Sequence, residues 1–175
     1  MALLAEGSLT NVYASIDRYL QEQFVDAATM QVRFHGERRF VPPTDAPWLE
    51  AHYTFLGLQQ SYLRQIRGLP TGEDVFGVHR IGHLQLNIFQ RARVFTTRYT
   101  TAVARDLVVS AFPEAGMIGI YDYANQAPDS AAAQVGVLIL NGLQEHVQDD
   151  GYRSGVIQHV LLVQTRYIEQ YTRAG

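Results

Sequence analysis

His79 and His83 stand four residues apart, a spacing that puts both rings on one face of a strand or a helix and could begin a divalent-metal site. A hydrolytic zinc centre also needs a third ligand and a general base. Arg80 occupies the position where the zinc-protease motif carries its Glu, and no nearby carboxylate completes the set, so the pair reads as solvated or interface histidines. The carboxylate pairs Glu73-Asp74 and Asp149-Asp150 sit among turn formers, and neither loop offers enough closely spaced oxygen ligands for calcium. There is no glycine-rich phosphate loop and no Gly-x-Ser-x-Gly elbow. Cysteine is absent, which removes disulfides, thiol nucleophiles and thiolate metal sites. No catalytic, metal-ligating or cofactor-binding residue is therefore expected. What remains is a set of arginines, Arg64 with Arg67 and then Arg91, Arg93 and Arg98, whose chemistry suits either phosphate or a carboxylate on a neighbouring subunit.

Composition bears on that choice. A net charge of −3 and a pI near 6.0 argue against a protein whose main task is gripping nucleic acid, so salt bridges at a subunit or partner boundary are the better expectation. All 14 basic residues are Arg, as a GC-rich genome would produce and as protein interfaces favour. At 175 residues, 47% hydrophobic and 18% charged, the chain fits one domain with a substantial core. Met1 to Ala5 is apolar but lacks the parts of an export signal, and no stretch approaches the roughly 18 apolar residues of a membrane span. The expectation is a soluble protein without a membrane partner.

The elements that must position these residues follow from periodicity. Leu84, Leu86 and Ile88 alternate with Gln85, Asn87 and Phe89, predicting a strand that ends near Phe89 or Val94. Ala104, Leu107, Val108, Ala111 and Phe112 then fall at helical spacing until Pro113; helix is predicted from Thr101, with extended chain possible as far as Tyr99. Ser8 caps an amphipathic helix with Leu9, Val12, Ile16, Leu20 and Phe24 on its apolar side and Asn11, Asp17, Arg18, Gln21 and Glu22 on its wet side. Met30 to Val41 reads as a hairpin around His35-Gly36-Glu37-Arg38. The proline-rich Val41 to Pro47 is a stiff surface connection into the strand opened by Trp48. Residues 57–77 read as a projecting hairpin in which Tyr62, Leu63, Arg64, Ile66 and Arg67 give two mixed faces suited to docking on another molecule. Strands follow at Gly116 to Asp122, at the nearly continuous apolar run Val135 to Leu140, fully covered or buried by assembly, and at Val156 to Tyr171.

The order of these elements, with Pro-Pro-Thr-Asp-Ala-Pro-Trp48-Leu49 leading into a strand and Arg80-Ile-Gly82-His-Leu84-Gln-Leu86-Asn-Ile88-Phe89 feeding a helix, resembles the tail terminator proteins of long-tailed bacteriophages, also called tail completion or tube-to-head joining proteins. The likeness runs over nearly the whole chain. It implies an α/β domain of the α+β kind, a single unit over 1–175, with a mixed or mostly antiparallel sheet flanked by an N-terminal and a central helix. It also implies a structural virion protein rather than an enzyme: a homo-hexameric ring, assembled in the host cytoplasm, that caps the tail tube and stops its growth. The ring would join the tail tube protein to the head completion or connector protein, while genomic DNA passes through its channel without specific binding. Relatives often carry Gly and Pro after the central strand, where this chain has Gln90 to Thr97. Two alternatives stay open: another neck or tail component, such as a head-completion or tail-tube protein, or a small metal-dependent enzyme using His79 and His83.

If the 57–77 hairpin docks on a neighbour, Leu63→Asp or Ile66→Asp weakens assembly while leaving the domain folded. Light-scattering mass alongside circular dichroism checks this; an assembly of unchanged mass in both variants refutes it.

Overall fold

The computed structural model describes residues 2–3, 8–56, 64–66, 75–91, 97–123, 134–150 and 155–172. Two strands of 17 residues, β5 (Val75–Arg91) and β8 (Val156–Thr172), run antiparallel without a register shift from Val75↔Thr172 to Arg91↔Val156. The other strands join this pair: β3 (Trp48–Leu56) beside β5, β7 (Gln134–Asp150) beside β8, then β2 (Gln31–Arg33) and β6 (Met117–Tyr121) at the two margins. Short strands β1 (Ala2–Leu3) and β4 (Arg64–Ile66) pair with the far ends of β8 and β5. The result is a mixed sheet in an α+β domain. Alternation decides which side faces the core: Leu84, Leu86 and Ile88 share a face with Leu49, Ala51, Tyr53, Leu161 and Val163, all buried in one cluster with both helices.

Helix α1 (Leu9–Leu20) starts where expected, its Asn11 amide donating to the Ser8 hydroxyl at 3.2 Å. Val12, Ile16, Leu20 and Phe24 are buried, and the chain passes into a π-helical turn at Gln21–Asp26 that keeps Phe24 inside. Asn11 departs from the wet face assigned to it. It is fully buried, because its side-chain amide donates to Asp122 at 3.3 Å and the next turn's Ser15 hydroxyl accepts from the Tyr121 amide at 2.9 Å. Two polar side chains thus tie α1 to the end of β6.

The expected hairpin at Met30 to Val41 does not form. β2 pairs in parallel with β3, Gln31 opposite Trp48, and the intervening chain returns without strand or helix. Pro42 and Pro43 supply no donors for a second strand, and the Glu37 carboxylate accepts from the Phe34 amide at 3.2 Å, closing the turn locally. β7 also differs from a fully covered strand: Leu138 and Leu140 are buried, but Val137 remains 37% exposed on the other face.

Helix α2 (Thr97–Ala111) begins four residues earlier than expected, so Thr97 to Tyr99 are helical despite their weak propensity. The compensating interaction is non-local. Gln90, at the end of β5, is buried, and its side-chain oxygen accepts from the Thr100 and Thr101 hydroxyls at 2.7 and 2.8 Å. The helix ends before Pro113, with Phe112 buried against Phe24 and Tyr19.

Of the 57–77 hairpin, β4 pairs with β5 through Arg64↔Gly77 and Ile66↔Val75. β8 backs β5 on its other side, so the segment is part of a ribbon of at least three strands. Positions 75–80 of β5 continue past the last pairing with β3, an extension of about 20 Å.

Gln90→Ala removes the acceptor shared by the Thr100 and Thr101 hydroxyls at the start of α2, two hydrogen bonds whose loss costs about 1–3 kcal/mol together. Urea unfolding should show a lower midpoint, and amide exchange should accelerate most at the start of α2.

Candidate interaction surfaces

Both helices cover one face of the sheet, so the opposite face is a surface whose use the fold itself does not explain. It is built from residues of the other parity: Trp48, Glu50, His52 and Thr54 on β3, and Ile81, His83, Gln85, Asn87 and Phe89 on β5. On β8 it holds Leu162, Gln164, Arg166 and Ile168. Trp48 stacks on its register partner Phe89 at 5.5 Å between ring centroids, and its indole N–H donates to Glu50, which also pairs with Arg33 at 3.2 Å. That end of the face is thus internally satisfied. Towards the other end, Met117, Val137 and Ile168 are exposed.

His79 and His83 both lie on this face, separated along β5 by Ile81. Their shared orientation is as expected, but among the described residues no group of three His, Cys, Asp or Glu side chains could hold a metal ion. Arg91 is exposed at the end of β5 on the same face. Arg98 falls in the first turn of α2, with its side chain outside the described set, and Arg93 lies outside the described residues. Arg64 and Ile66 lie in β4, whose side chains are likewise not described, while Tyr62, Leu63, Arg67 and the Glu73-Asp74 pair fall outside the described residues. Arg80, in contrast, is an internal group. It projects to the core side of the ribbon and pairs with buried Glu169, diagonally across from it on β8.

Periodicity does not reveal the polar clusters on the helix side. The Tyr53 hydroxyl donates to Asp17 of α1 at 2.6 Å, and the Tyr53 backbone amide donates to Nδ1 of His35 at 3.1 Å. That amide points outward where β2 has already ended, so His35 caps a free strand edge while stacking on Tyr53 at 5.3 Å. Burial raises the Asp17 carboxyl above the usual range, with the Tyr53 hydrogen bond and nearby His35 opposing it. Burial and the Asp17 charge push the Tyr53 phenol well up. Elsewhere Arg105 of α2 grips Glu145 of β7 through contacts of 2.7 and 3.1 Å and holds that carboxyl below its ordinary value. His159 Nδ1 is 3.6 Å from the same carboxylate. Both clusters join elements far apart in sequence and act as fasteners. Neither frames a nucleophile beside a base.

Clefts flank the helices. One of about 460 Å³ lies where β7 bulges at Gly142, between Phe112-Pro113-Glu114 and Gln144, Leu162 and Gln164. Another, of about 580 Å³, runs along the outer side of α1 and carries Asp17, Glu22 and Asp26. No helix among the described residues is long and apolar enough to cross a membrane.

No family model and no curated protein matches the sequence. A solved protein structure is similar in fold, with a TM-score of 0.53 at 12% identity over 95% of this chain and 99% of the other.

Tyr53→Phe removes a donor to the Asp17 carboxylate and raises its pKa further. Because the folded pKa already exceeds the unfolded one, Asp17 favours folding in acid, and that contribution is lost as pH rises through the folded value. The variant should therefore cost about 1–2 kcal/mol at neutral pH, Asp17 being half-exposed, and less in acid. Carboxyl NMR titration with stability measured from pH 4 to 7 checks both parts; a constant cost across that range counts against the charged hydrogen bond.

Proposed function

We propose that this chain is a structural virion subunit of the tail-terminator type. In this reading it forms a homo-oligomeric ring at the neck that caps the tail tube, halts its elongation and meets the head connector. The observation that carries the reading is the order of elements along one sheet. After the short β1, a Ser-capped amphipathic helix leads to a proline-rich entry into the strand at Trp48. The strand through Gly82, Leu84, Leu86 and Ile88 then delivers the second helix, and two strands of 17 residues close the fold. The sequence resemblance rests on the same order. A helix-free face that leaves Met117, Val137 and Ile168 to solvent supports it, since a ring would cover such groups. The net charge of −3 suits a channel through which DNA moves, because a basic lining would bind phosphates at each step and retard passage.

Sedimentation and native mass measurement test the reading, with and without tail tube protein. The expected result is a discrete ring, sixfold by the resemblance, that ends tube polymers at one added layer in negative stain. A stable monomer under both conditions overturns it, and open-ended polymerisation into cylinders would move the assignment to a tube protein.

A further inference from the structure

A closed ring needs a heterologous interface, in which two different patches of one chain complement each other from subunit to subunit. Resting on the ring reading above, we propose that these patches are a transverse row on the helix-free face, centred on Arg166, and the acidic groove outside α1, with a second copy of this chain as the occupant.

The row follows from register. Met117 of β6 lies opposite Ile139 of β7, Ile139 opposite Arg166 of β8, and Arg166 opposite Ile81 of β5. Val137 and Ile168 flank it one step along their strands. Met117 is 67% and Ile168 41% exposed, so the row is an apolar band with a guanidinium at its middle. Arg166 is exposed and, among the described residues, forms no ion pair or hydrogen bond.

The groove has the opposite chemistry. It is about 580 Å³, and Asp17, Glu22 and Asp26 line it together with the aromatic side chains of Phe34 and Tyr123. Arg18 answers Glu22 at 2.7 Å, which leaves the lining with a formal excess of two negative charges, three carboxylates against one guanidinium. Carboxylates beside aromatic rings are the surroundings a guanidinium prefers, through paired hydrogen bonds and stacking. The groove lies on the helix layer and the row on the bare sheet face, so the two belong to opposite sides of the subunit, as head-to-tail closure requires. An exposed ion pair adds little affinity by itself. Its role here is to fix orientation, while burial of Met117, Ile139 and Ile168 supplies the driving force.

The test is a charge swap read by analytical ultracentrifugation, with circular dichroism and melting curves to establish that each variant folds. Both sites are exposed, and among the described residues Asp26 is held by Gln21 at 2.9 Å alone, so the fold should survive either change. Arg166→Glu alone sets a carboxylate against the acidic groove, and Asp26→Arg alone cancels the groove's two excess negative charges and sets a second guanidinium opposite Arg166, so each should raise the apparent dissociation constant about tenfold or more. Mixing the two single variants, or combining both changes in one chain, should restore the assembly, because the carboxylate introduced by Arg166→Glu then meets the guanidinium introduced by Asp26→Arg. Met117→Asp should weaken assembly in all of these backgrounds. Single variants that assemble like the parent, or a mixture that stays dissociated, overturn this interface while leaving the ring reading intact. A parent chain that is monomeric at all concentrations overturns the ring reading itself. Correct swap behaviour in an assembly that fails to cap tubes would keep the interface and refute the neck assignment.

Discussion

Seventeen successive pairings between β5 and β8, none displaced, set the frame on which every other element is placed. A slip of one residue would turn Leu84, Leu86, Ile88, Leu161 and Val163 to the bare face and bring His83, Gln85, Leu162 and Gln164 beneath the helices. The opposite burial of these two sets is what holds the register. Gly82 contributes through what it lacks: a Cβ there would stand 2.3 Å from the Phe55 ring, which crosses β5 and meets Tyr167 edge-on at 5.3 Å. The three central strands are thereby locked at the point where the ribbon leaves the helix-covered core.

How the helices sit on this frame depends on polar groups as much as on apolar burial. Asn11 and Ser15 hold α1 to the end of β6, Tyr53 and Asp17 hold it to β3, Gln90 starts α2, and Arg105 ties α2 to β7. Each of these bonds is specific in direction, whereas an apolar stripe alone would tolerate a helix rotated or shifted by a few ångströms. The buried members cost desolvation that only their partners offset, so they select one arrangement more than they add stability.

This division explains what could be read in the sequence. α1, β3, β5, β8 and the end of α2 were legible because their apolar periods are long and their caps and breakers local. The parallel β2–β3 pair was not: three residues carry little periodicity, and their partner depends on how the chain returns past Pro42 and Pro43. Asn11 looked solvated because its partner, Asp122, is 111 residues away. The early start of α2 was hidden in the same way, since three threonines argue against helix until Gln90 is known to receive two of their hydroxyls. Of the surfaces, the parity of Ile81, Arg166 and Ile168 was present in the alternation, but only the pairing of β6, β7 and β8 sets Met117 and Ile139 beside them.

The sheet's margin bears on the kind of association open to this chain. From Asn141 to Asp150 the outer side of β7 has no strand partner among the described residues, which would ordinarily invite strand addition and open-ended growth. Two features oppose that. The register shifts at Leu140/Leu143 and again at Val147/Asp149, and Gly142 holds φ at +137°, a conformation side-chain-bearing residues rarely adopt, so the edge is bent away from a regular ladder. Glu145, engaged by Arg105 across the helix layer, places charge beside the same edge. An edge blunted in this way leaves the faces of the subunit as the better surfaces for association, and faces that differ on the two sides of one chain favour closure into a ring over extension of the sheet.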